Sequence, residues 1–248
     1  MSAPVAALIL IAALITACIS GIFGMAGGLI FMGVIASVMG VAEAMVVHGA
    51  VQSVSNSYRA FLLRGNIRYD ILGYIALGAL PGITLLAAVA FVPSKPVLFI
   101  ALGLLPALLW LPRRLLHFDA QRPVHAVACG FTVMALNLSA GVAGPAMDMF
   151  FIKTSMPREQ IVATKAITMM ASHLVKIVYF GIALISAAGL SGLPPIWVFV
   201  AAVPCVMIGT FTGTRILKRL SDAGFKRYTK WLVSVIGVIY LARGFAML

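Results

Sequence analysis

Two groups of polar side chains lie where the surrounding sequence is apolar. The first is His48, Gln52, Ser55, Asn56 and Arg59; the second is Lys165, Thr168, Ser172, His173 and Lys176. At about 100° per residue, His48, Gln52, Ser55 and Arg59 fall on one narrow helical stripe, bordered by Asn56. Lys165, Ser172 and Lys176 share a second stripe, with Thr168 and His173 on its flanks. If these helices cross a membrane, the stripes must face protein or water, because lipid offers polar groups no partners. The chemistry they suit is the holding of a small anion. Arg59, Lys165 and Lys176 supply charge; Gln52, Asn56, Ser172 and Thr168 supply hydrogen bonds. Arg59 and Lys176 also have a structural alternative, which is to snorkel from helix ends.

A glycine break precedes each stripe. One holds Gly24, Ala26, Gly27 and Gly28; the other holds Ser139, Gly141, Ala143, Gly144 and Pro145. A helix starting after such a break presents unpaired N–H groups and the positive end of its dipole, a seat for an anion. The alternative is close helix packing through small residues. An offset of 117 positions carries Gly24 onto Gly141, Ala26 onto Ala143, Gly27 onto Gly144 and Ser55 onto Ser172. The same offset places His48 on Lys165, Asn56 on His173 and Arg59 on Lys176. Basic positions matched inside apolar sequence point to a duplication, and to a site built where its halves meet.

Of the six acids, only Asp148 follows a glycine break inside an apolar run. It can pair with Lys165 or Lys176, or carry a proton. His48 and His173 are the other candidates for proton coupling. His117 and His125 fall in a basic linker and are expected in solvent. Cys18, Cys129 and Cys205 are isolated, with no metal or redox spacing, so no metal and no cofactor is expected. The sequence has no GxxxxGK[ST], HExxH or GxSxG motif, which argues against an ATP-driven pump or an enzyme.

The elements that must position these groups follow from composition. Of 248 residues 62% are hydrophobic and only 10% are charged. A soluble domain carries roughly a quarter charged residues, so lipid must be the main solvent here. The net charge of +12 then reflects basic loops at a membrane rather than a nucleic-acid surface. Apolar segments fall near 4–20, 27–42, 44–63, 70–92, 95–111, 124–138, 145–156, 159–180, 182–200, 196–216 and 231–247. The first resembles a signal peptide, with Ile15-Thr16-Ala17-Cys18 as a cleavage box. No Lys or Arg precedes Arg59, so a retained helix is expected.

The charges then orient the segments. Gaps at 64–69, 112–123, 153–158 and 215–230 are basic and belong in the cytoplasm; the Lys95 gap and 181–195 belong outside. Residues 124–152 must therefore enter and return, bent at 139–145. Matching gaps of the two halves lie on opposite sides. The expected fold is an all-α polytopic membrane protein with two inverted-topology repeats. Each repeat is a glycine-broken hairpin plus three spanning helices. The first repeat occupies 1–112, a basic cytoplasmic hinge 113–123, and the second repeat 124–248. Pro81 and Pro204, both mid-span, echo the duplication.

The runs Ser20-Gly21-Ile22-Phe23-Gly24-Met25-Ala26-Gly27-Gly28 and Ser139-Ala140-Gly141-Val142-Ala143-Gly144-Pro145, with the duplicated plan, resemble the sulfite exporter TauE/SafE family. Pro145 replaces the last glycine of the pattern in the second copy, so the two ends of the site need not be equivalent. The resemblance covers nearly the whole chain. It implies movement of small anions, often sulfite or organosulfonates such as sulfoacetate, across the bacterial inner membrane by a secondary transporter working through alternating access. Protons are a candidate coupling ion, and membrane lipid surrounds the chain. Homodimerisation, an anion channel and a non-transporting membrane assembly protein remain open.

Overall fold

The computed structural model describes residues 1–23, 26–112, 117–217 and 222–248, including all their side chains except those of 217 and 222–229. Every regular element among the described residues is helical. The order is α1 (Ala3–Phe23), α2 (Ala26–Val38), α3 (Val41–Leu62), α4 (Tyr69–Ala88), α5 (Lys95–Leu104), α6 (Pro123–Ser139), α7 (Gly144–Phe151), α8 (Arg158–Ala188), α9 (Ile196–Leu217) and α10 (Asp222–Phe245). A 3-10 turn at Leu105–Trp110 prolongs α5.

Four described helical stretches are long and apolar enough to cross a membrane: Ala3–Phe23, Tyr69–Ala88, Arg158–Gly192 and Ile196–Ile216. With 22 residues, α3 is as long as three of these; its polar stripe is what lowers its hydropathy. The short pieces α2 and α7, of 13 and 8 residues, follow the two glycine breaks. They cannot span alone, since a crossing needs ~20 residues.

The principal helix pairs are α1 with α9, α3 with α8, α4 with α6, and α5 with α10. Two of these pairings rest on bare backbone. A Cβ at Gly130 would strike the Ile75 carbonyl across the α4–α6 contact, and one at Gly213 would strike the Cys18 carbonyl across α1–α9. With no favourable lipid-water difference to drive helix association, such close approach is how packing is gained. Outward faces carry large apolar side chains, among them Leu77, Leu80, Val178, Ile182, Val200 and Ile208.

Several boundaries differ from the sequence reading. There is no separate segment at 182–200: α8 continues through Gly181 to Ala188, for 31 residues. It stops where Gly189 takes φ +64, a conformation that glycine adopts without penalty. The segment read as 145–156 ends at Phe151. His125 is not in a solvated linker. It sits in the first turn of α6, where Nδ1 accepts the Asp119 backbone N–H at 3.1 Å and the ring meets Phe118 edge-on. Arg113, Arg114, Lys218 and Arg219 lie outside the described residues.

Three basic loops gather at one end of the bundle. The Arg68 backbone N–H donates to Thr164 Oγ1 near the start of α8, the Ser155 backbone and hydroxyl donate to Gln121, and Lys153 meets His117. Far from that end, the Tyr179 hydroxyl donates to the carbonyls of Leu86 and Phe91 near the Lys95 loop.

Candidate functional site

Helices α3 and α8 carry the two polar stripes and pack directly on one another. Between them, closed by the two breaks and by α9, lies a cavity of about 720 Å³. His48, Gln52, Ser55, Asn56 and Arg59 all line it, so the stripe read from the α3 spacing is one wall. Gly28 of the first break and Val142 and Gly144 of the second line it as well. Gly28, in the first turn of α2, and Gly144, the first residue of α7, therefore face the same cavity. The rim is formed by Leu62 and Leu63 at the end of α3 and by Arg158 and Glu159 at the start of α8.

The face of α8 is divided differently from the stripe proposed for it. Val162, Lys165, Ala166, Met169 and His173 line the cavity. Thr168, Ser172 and Lys176 lie on the neighbouring row and are buried, away from the lining. Thr168 Oγ1 donates to the Thr164 carbonyl, and Ser172 Oγ donates to the Met169 carbonyl. Both hydroxyls thus serve the helix itself.

Lys176 is 0% exposed and fully engaged. Its Nζ donates to His48 Nδ1 at 2.8 Å, to the Gly141 carbonyl at 2.8 Å and to Asn137 Oδ1 at 3.3 Å. Three acceptors match the three N–H groups of an ammonium. His48 Nε2 donates to the Gly28 carbonyl at 3.0 Å, which fixes the neutral tautomer with Nδ1 free to accept. A chain of hydrogen bonds therefore runs from the first break through His48 to Lys176 and on to the second break. Gly141 holds φ +74, so the turn that presents its carbonyl favours glycine. Asn137, which also donates to Ser172 Oγ at 3.2 Å, had no signal in the sequence beyond being a lone amide on α6.

Lys165 forms an ion pair with Asp148, four residues into α7, and both side chains are about a quarter exposed, at 28% and 27%. Of the two pairings the sequence left open for Asp148, the structure contains this one. Arg59, in the last turn of α3, lines the same cavity and is close enough to Lys165 for the two positive charges to act on each other. Among the described residues Arg59 has no carboxylate partner. His173 is 1% exposed, its ring lies 5.4 Å from that of His48, and neither of its nitrogens has a hydrogen-bond partner. A buried imidazole normally has both nitrogens satisfied, and this one lies on the cavity wall.

The remaining candidates have other surroundings. Gly24 lies outside the described residues. Ala26 and Gly27 are buried against α1, where a Cβ on Gly27 would meet the Thr16 carbonyl. Ser139 Oγ donates to the Ala135 carbonyl, and Ala143 caps α7 by accepting the Met147 N–H. Tyr58, Thr210 and Thr214 line the cavity without having been singled out. Thr210 Oγ1 lies 3.3 Å from Ser55 Oγ, a link between α9 and α3 that neither stripe could reveal. Among the described residues no cluster of His, Cys, Asp and Glu could hold a metal ion, and the described cysteines are free.

The wall is thus cationic and hydrogen-bonding, inside an apolar bundle. A family model described as Sulfite exporter TauE/SafE matches residues 9–240. No curated protein and no solved structure matches this chain.

Proposed function

The chain belongs to the sulfite exporter TauE/SafE family, and on that premise we propose that it is a secondary transporter moving sulfite or an organosulfonate such as sulfoacetate across the bacterial inner membrane. The observation that carries this reading is Arg59: a guanidinium with no carboxylate partner among the described residues, lining a cavity of about 720 Å³ between α3 and α8. A charge in such surroundings is costly unless a counter-ion meets it. The sulfonate or sulfite is that counter-ion. Gln52, Asn56, His173 and the backbone of the two breaks complete its hydrogen bonds.

Alternating access of two inverted halves, with repeats at 1–112 and 124–248 about the 113–123 hinge, accounts for the helix pairing. Exchange α1 with α6, α2 with α7, α3 with α8, α4 with α9 and α5 with α10. The α1–α9 pair then becomes α6–α4, while α3–α8 and α5–α10 map onto themselves. A pseudo-two-fold axis through the α3–α8 contact would produce that pattern. With the basic loops cytoplasmic, the rim at Leu62, Leu63, Arg158 and Glu159 faces the cytoplasm, and this conformation is inward-facing. An inside-negative potential then favours anion exit by ~2.3 kcal/mol per charge per 100 mV.

The test is flux of labelled sulfite, sulfoacetate and sulfate in proteoliposomes. Saturable flux with countertransport, lost in Arg59→Ala, is the expected result. Uncoupled current without countertransport would replace the transporter with a channel. No anion movement in any arm would leave an assembly role.

A further inference from the structure

Resting on the anion reading above, we infer that cargo bearing two negative charges binds together with one proton, which Asp148 takes up. Inside the rim, the charged side chains lining the cavity are Arg59, Lys165 and Asp148. Asp148 and Lys165 are paired, and both are partly exposed. Arg158 and Glu159, of opposite sign, are exposed at the rim, where water screens them. Lys176 does not line the cavity and donates to three fixed acceptors. The wall therefore holds two positive charges and one negative charge.

A monoanion on Arg59 balances that wall and leaves the Asp148–Lys165 bridge intact. A dianion such as sulfoacetate has a second charged head. Lys165 is the cation for it, close enough to Arg59 for the two charges to interact. The hydrogen bond from Lys165 to Asp148 then breaks, and one from Lys165 to the cargo forms. An ionised Asp148 would be left facing the cargo beside an apolar bundle, with no positive partner, which favours its neutral form. A proton drawn from water at the rim settles on the carboxylate, and wall plus cargo are neutral again.

The packing does not demand a carboxylate at this place. The offset of 117 positions carries Asp148 onto Phe31 and Lys165 onto His48. Phe31 and His48 are stacked rings with centroids 5.9 Å apart. An aromatic contact thus fills the matching place in the first half, and the titratable acid stands only in the second.

Titration calorimetry of the detergent-purified protein, in two buffers of different ionisation enthalpy, counts the protons taken up with each anion. Methanesulfonate (one charge) and sulfoacetate (two) share a sulfonate head, and neither exchanges protons near neutrality. Sulfoacetate should bind with up to about one proton and methanesulfonate with close to none. Uptake on binding makes sulfoacetate affinity fall as pH rises. The fall is up to about tenfold per pH unit between the free and the cargo-bound pKa of Asp148. Methanesulfonate affinity should hold over the same range. Asp148→Asn keeps the shape and removes the proton acceptor, so sulfoacetate should then bind without uptake and with a flat profile.

That variant is needed because other groups nearby can titrate. From α3 these are His48, Tyr58 and Arg59; from α8, Arg158, Glu159, Lys165 and His173; from α6, Cys129. The stretch that meets Phe150 of α7 adds His117, Asp119, Arg122 and His125, whereas the 3-10 turn at Leu105–Trp110 adds none. Equal proton uptake for the two anions at every pH from about 5.5 to 8, or unchanged uptake in a folded Asp148→Asn protein, would overturn the inference. If Asp148→Asn does not fold, the two anions in the unaltered chain decide alone. Binding of neither anion would sink the anion reading itself; binding of both with equal uptake sinks only the proton linkage.

Discussion

Lys176 donates a hydrogen bond to His48 Nδ1 across 2.8 Å, joining the middle of α8 to α3 between two buried side chains. The two residues are 128 positions apart in sequence. Lys176 also holds the Gly141 carbonyl, and His48 holds that of Gly28. The bond is therefore the clasp between the two breaks.

Replacing Lys176 by Met removes the donor and strands three buried acceptors. Each unsatisfied group costs ~1–3 kcal/mol, so stability should fall by at least about 2 kcal/mol. A thermal melt of the detergent-purified protein measures it. An unchanged midpoint would mean that the clasp contributes nothing.

Arg59 has no carboxylate partner among the described residues, so Arg59→Ala leaves no buried counter-charge behind. Folding should be preserved while sulfonate flux drops at least about tenfold, the loss of one charge-assisted contact of ~1.5–3 kcal/mol. Arg59→Lys should recover part of the flux, because it restores charge without the planar fork. Matched expression and unchanged flux in Arg59→Ala would remove this residue from the site.

His173 tests whether a group serves cargo or architecture. Both of its nitrogens lack partners among the described residues. His173→Leu should therefore shift stability by less than ~1 kcal/mol, well below the loss expected where a satisfied buried group is deleted. Flux should still fall, since the cargo loses a hydrogen-bonding wall. A large drop in melting temperature would indicate instead that the imidazole packs as structure.

Gly141→Ala puts a side chain at φ +74 and a Cβ 2.9 Å from Met45 Sδ. The left-handed conformation alone costs ~1–2 kcal/mol for an L-residue. The variant should melt lower than the parent, and the neighbouring Met32 leaves little room for relief. Gly40, with open space around its position, is the matched control: Gly40→Ala should be tolerated.

The sequence exposed the α3 wall because polar residues are rare enough there for their angular spacing to stand out. On α8 the polar residues cover more than one row, and periodicity cannot tell the row that packs from the row that lines. Lys176 and Ser172 were placed with the site for that reason, although they lie behind it. The end of α8 was misjudged because residues 181–195 hold no charge to mark a boundary. Asn137 and Thr210 act through partners distant in the chain, and a lone polar letter carries no sign of its partner. Asp148 was visible as a misplaced acid, but which lysine it meets depends on how α7 docks.

The length of α8 has its own consequence. Its 31 residues make a rod of about 46 Å at 1.5 Å per residue, against a hydrocarbon layer of ~30 Å. Such a rod must lean or overhang. Its Arg158 end sits with the basic loops, so whatever part of the roughly 16 Å excess, about three turns, is not taken up by leaning can extend that end to headgroup level. On the proposed function, an anion arriving at that end meets exposed Arg158 first and the quarter-exposed Lys165 second.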